Sequence, residues 1–188
     1  MVAAPAGTPR LAATVYALSV SALFGISALY HRITWASAAA RRWMRRVDHS
    51  AIFLLIAGTY TPFALLVLEG RIATVILVVV WAGALGGILL KLVWIDAPKL
   101  LTAIVYVALG WVAVAAFPDL FDELGVTGTA LVVAGGLLYT AGALVYALRR
   151  PDPVPAVFGY HEVFHALVIL AAALQYAVIA FYVLPAAD

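Results

Sequence analysis

From Phe158 to Pro185 the chain reads FGYHEVFHALVILAAALQYAVIAFYVLP. Its first half contains a literal H-E-x-x-H, which on a helix is the zinc-ligand and base signature of metalloproteases. Its second half is apolar apart from Gln175, and such a run belongs inside a bilayer. How these two halves are reconciled decides both fold and chemistry.

The rest of the 188 residues sides with the bilayer: 66% are hydrophobic and only 11% are charged. A soluble domain of this length cannot hide that much apolar surface, so lipid must be its solvent. There is no cysteine, which removes disulfides and thiolate zinc ligands. The net charge of +2 gives no footprint for nucleic acid. The opening MVAAPAGTPR lacks the charged start and apolar core of a signal peptide.

Hydropathy predicts six apolar segments, at residues 11–30, 50–68, 72–94, 100–117, 126–148 and 162–184. They are about twice the length of a barrel strand and do not alternate, so they read as helices. The expected fold is an all-α integral membrane bundle, one domain over residues 1–188. Every second connection is basic: Arg32, Arg41, Arg42, Arg45 and Arg46, then Lys91 and Lys99, then Arg149 and Arg150. Glu69 with Arg71, and Asp119, Asp122 and Glu123, mark the opposite connections. The basic side is therefore expected to be cytoplasmic, with both ends of the six-helix chain outside. The arginine cluster reads as a topology signal rather than a lipid-binding site.

The four histidines, His31, His49, His161 and His165, all fall at segment ends on that basic side. His161 and His165 are four apart and share a helix face, as two ligands of one metal must. Ser27 and His31 repeat the spacing. A catalytic zinc commonly takes three protein ligands and leaves one position for water, and His161, His165 and His31 meet that count. Asp48, an ionisable group entering the membrane, suits a proton acceptor, and Ser27 suits a group that positions a carbonyl or the water. Plainer roles stand beside these. His49 reads as an interfacial polar group, Ser27 as a donor to its own helix backbone, and Glu162 as an acidic residue favoured at a helix start. A protease needs a further ligand or aspartate downstream, where only Gln175 and Asp188 are strongly polar. The third ligand must come from upstream, which disfavours a protease.

Four stretches resemble the bacterial hemolysin III family, kin to the progestin and adipoQ (adiponectin) receptors and more distantly to alkaline ceramidases. They are SALYHR (Ser27–Arg32), DHSAIFLLIAGTYTPF (Asp48–Phe63), GGLLYTAGALVY (Gly135–Tyr146) and FGYHEVFHALVIL (Phe158–Leu170). The resemblance implies a seven-helix receptor-like fold with zinc held by three histidines, here His31, His161 and His165. It also implies that Asp48 contacts the metal-bound water and that Ser27 belongs to the same cluster. Two departures stand out. The family's helix before the S-x-x-x-H segment has no counterpart here, so six helices are expected, through a six-helix variant or a downstream start. Gln175 stands where related proteins commonly carry another histidine. The expected function is a zinc-dependent hydrolase of the inner (plasma) membrane, cleaving an amide or ester of a membrane lipid in a ceramidase-like reaction. The alternatives are a receptor-like or membrane-homeostasis protein with a structural zinc, and a cytolysin.

Overall fold

The computed structural model describes Ala4 and residues 6–187. Asp188 and part of the MVAAPAGTPR start lie outside the described residues. Those described are helical, with no strand among them beyond an isolated bridge between Val154 and Phe158. Five helices are long and apolar enough to cross a membrane. The chain divides into two compact units, Met1–Ala97 and Pro98–Asp188.

The first unit holds α1 (Thr8–Arg32), α2 (Ala38–Leu66) and α3 (Gly70–Val93). Pro9 lies in the first turn of α1, where its fixed φ suits a helix start and its missing N–H costs nothing. α2 begins well before the apolar run expected at residue 50. Ser37 caps it by accepting the Ala40 N–H at 3.1 Å. The arginine cluster is thereby helical, and the connection shrinks to residues 33–37. α2 packs against both α1 and α3 and is the central helix of the unit. Some 61% of its apolar window is buried, against 28% for α1 and 22% for α3. Phe53, Ile76, Val80 and Ser19 form the fully buried centre. Large apolar side chains elsewhere face outward, Val78 and Leu89 among them, as expected where lipid is the solvent.

The second unit holds α4 (Lys99–Gly110), a 3-10 turn (Val112–Ala116), α5 (Phe117–Leu148) and α6 (Tyr160–Val178), which runs into a π-helical turn (Ile179–Val183). Here the structure differs from the expected segments. Residues 99–148 form one nearly continuous helical stretch of 50 residues, counted among the five spans. A straight helix of that length reaches about 75 Å, more than twice a hydrocarbon core. The stretch is divided instead by the 3-10 turn and by Gly125, whose φ of 64° and ψ of −175° interrupt α5. Only glycine adopts such a backbone without strain. The polar segment 118–125, expected as a loop, is helical up to Gly125, with Pro118 and Asp119 in its first turn.

Candidate metal centre

α6 owes its start to two carboxylates. Glu162 Oε2 accepts the Gly159 N–H at 2.9 Å, and Asp152 Oδ1 accepts the Tyr160 N–H at 2.8 Å. Both are N–H groups that a helix start leaves without partners. The glutamate of H-E-x-x-H is therefore a capping residue, exposed and turned back toward the chain entry, as the plainer reading of the sequence had it.

On the next face of that first turn His161 and His165 come together, with Nε2 atoms 3.1 Å apart and rings perpendicular at 4.6 Å. Ligand atoms of a tetrahedral zinc, with bonds of about 2.0–2.1 Å, stand about 3.3–3.4 Å from each other. The pair thus already has nearly the separation that two zinc ligands need. The surroundings are aromatic: the His161 ring lies 6.2 Å from those of Tyr146 and Tyr160 and 5.9 Å from Phe164, while Phe164 lies 5.2 Å from His165. Such walls limit competing water and hold the rings in place.

Lys99, read from sequence only as a topology marker, sits in this same cluster. Its Nζ donates to Tyr160 Oη at 3.0 Å and lies over the Tyr146 and Tyr160 rings, at 4.4 and 4.9 Å. One ammonium thus joins the start of α4 to α5 and to the first residue of α6. Gln175 takes no part. It is buried ten residues beyond His165, where its Nε2 donates to Val132 O at 3.2 Å and its side chain fills the space above Gly135.

In the first unit, His31 occupies the last turn of α1, exposed, with its ring edge-on to Tyr30 at 4.7 Å. Ser27 is half-buried one turn earlier on the same face and makes no hydrogen bond among the described residues. The back-bonding role belongs to Ser19 instead, which donates to Tyr16 O at 2.6 Å. Asp48 lies inside α2, buried, with Oδ2 3.2 Å from His49 Nδ1. His49 is thus the neighbour of the candidate proton acceptor and is mostly covered. Of the three expected ligands, His161 and His165 are brought together within the second unit, and neutral nitrogen donors of this kind suit zinc.

Helices that can cross a membrane several times, with a close histidine pair at the start of one of them, define a multi-span membrane protein with a candidate metal site. Residues 1–176 match the sequence model of the Haemolysin-III related family, and the chain belongs to that family, as the four stretches implied. It is 34% identical to Hemolysin-3 of Bacillus cereus over 178 residues, 95% of this chain and 78% of that protein. It is 35% identical to the Hemolysin-3 homolog of Bacillus subtilis (strain 168) over 169 residues, 90% of this chain and 76% of the relative. The monocyte to macrophage differentiation factor of Homo sapiens is 24% identical over 170 residues, 89% of this chain and 68% of that protein.

Proposed function

We propose that this chain is a zinc-dependent hydrolase of the inner membrane that cleaves an amide or ester bond of a lipid within the bilayer. The observation that carries the reading is the 3.1 Å approach of the His161 and His165 Nε2 atoms in an aromatic surround. His31 is the third ligand in this proposal. The chain forms a single domain of six crossings, the long 99–148 stretch passing twice, with the histidines near the cytoplasmic side. These crossings are similar to those of a seven-helix receptor-like arrangement.

Zinc held by three imidazoles would supply Lewis acidity toward a carbonyl and acidify water to near neutrality. The chain's own groups do the rest. Asp48 accepts a proton at its carboxylate, and His49, 3.2 Å away, steadies the carboxylate for that role. The Ser27 hydroxyl donates to the substrate carbonyl and fixes its orientation. Tyr146 and Phe164, with ring centroids 5.3 Å apart, keep the histidine pair out of bulk water.

Elemental analysis of the purified wild type beside His31→Ala and His165→Ala tests the proposal first. Stoichiometric zinc, lost in both variants, is expected. A lipid-hydrolysis screen follows, in which Asp48→Ala keeps its zinc and loses roughly 10²–10⁴-fold in rate. A wild type that folds stably without metal and cannot be reconstituted with zinc overturns the reading. Zinc without any lipid product, under conditions where a related hydrolase turns over, makes the metal structural.

A further inference from the structure

Four arginines open α2, and they divide by partner. Arg45 Nη2 pairs with Asp96 Oδ1 at 2.7 Å and donates to Ile95 O at 3.2 Å. Arg46 Nε donates to Leu92 O at 2.9 Å. Leu92 O is one of the carbonyls that the end of α3 leaves without an intrahelical partner, and Ile95 lies just beyond that end. Arg42 has no partner among the described residues. It lies one turn before Arg46 on the same face, and with Trp43, Ala38 and Ala39 the two line a cleft of about 360 Å³. No carboxylate lines it. Arg46 is doubly fixed, by its bond to Leu92 and by its guanidinium carbon 5.2 Å from the Trp43 ring centroid. Trp43 itself is 58% exposed.

We propose that this cleft binds the phosphodiester headgroup of an anionic membrane lipid. Guanidinium forks match phosphate oxygens in shape and charge, and two on one helix face can share one phosphate. Indole rings favour the headgroup depth of a bilayer, where one side meets apolar chains and the N–H meets polar groups. α2 continues from the cleft into its apolar span, so the cleft lies at the polar end of a membrane-crossing helix. A zwitterionic headgroup would bring an ammonium against two uncompensated positive charges, so an anionic lipid is selected. This inference is independent of the histidine chemistry: it involves none of the metal-site residues.

Native mass spectrometry of the full chain in neutral detergent tests it. Dioleoylphosphatidylglycerol, dioleoylphosphatidylcholine and glycerol 3-phosphate are titrated separately against wild type, Arg42→Ala, Arg42→Lys and Arg41→Ala. Arg41 is exposed and does not line the cleft, so its loss removes the same charge without touching the site. Arg42→Ala is expected to weaken phosphatidylglycerol binding about fivefold to tenfold, with Arg42→Lys between it and wild type and Arg41→Ala within about twofold of wild type. Equal losses in Arg41→Ala and Arg42→Ala overturn the proposal in favour of a diffuse basic surface. Equal binding of phosphatidylcholine, or Arg42-dependent binding of glycerol 3-phosphate as tight as that of the lipid, overturns it as well.

Discussion

A carboxylate one residue along a helix from a ligand points about 100° away from it, and Glu162 uses that displacement to reach the Gly159 N–H at 2.9 Å. Replacing it tests whether H-E-x-x-H carries chemistry here or only a helix start. Glu162→Ala is expected to cost about 1 kcal/mol of stability, read as a lower Tm in detergent, while zinc content stays at the wild-type level. An unchanged Tm with abolished lipid hydrolysis would instead return Glu162 to the role of base. The i, i+4 spacing of His161 and His165 was legible because a helix face repeats every turn. The pairing of Asp48 with His49 was not, since adjacent helical residues diverge and only side-chain packing turns them together. Lys91, inside the expected segment 72–94, lies in the last turn of α3 and is 1% exposed, a burial that its place in the sequence does not announce.

Between elements, contact distance is set by what a helix lacks. Gly87 of α3 faces the ring of Phe53 on α2, and a Cβ there would overlap its Cε1 and Cζ atoms. Phe53 is fully buried and has no room to retreat. Gly87→Ala is therefore expected to lower stability by about 1–3 kcal/mol. Its neighbour Gly86 has open space beyond its Cα, and Gly86→Ala should fall within about 1 kcal/mol of wild type or slightly above it. Thermal unfolding of both variants in one detergent checks the pair, and equal effects would refute close α2–α3 packing at Gly87. Hydropathy found these two elements because both are strongly apolar over a full span. It missed the early start of α2, where arginine, alanine and methionine favour a helix without adding hydrophobicity. It also placed a loop at 118–125, because what interrupts α5 is one glycine's backbone at Gly125 and not the polarity before it.

For the whole molecule the question is how many times the 50-residue stretch Lys99–Leu148 crosses. A single crossing leaves far more helix than a bilayer core accommodates and puts the connection carrying Arg149 and Arg150 on the same side as Glu69. Basic connections favour the cytoplasmic side, so the proposed reading has two crossings here, interrupted around the 3-10 turn and Gly125. The proposed three-histidine site needs the same arrangement, since its third ligand comes from α1. The chain has no native cysteine, so single introduced cysteines report sidedness without background. Ala156→Cys, in the connection before α6, is expected to resist a membrane-impermeant maleimide in intact cells and to react after permeabilisation. Glu69→Cys and Asp122→Cys should react from outside. External labelling of Ala156→Cys would mean one crossing in this stretch, and would separate His31 from the α6 pair by the thickness of the membrane. The three-histidine zinc site would fall with it, whereas the α6 pair and the arginine cleft of α2, each built within one unit, would stand.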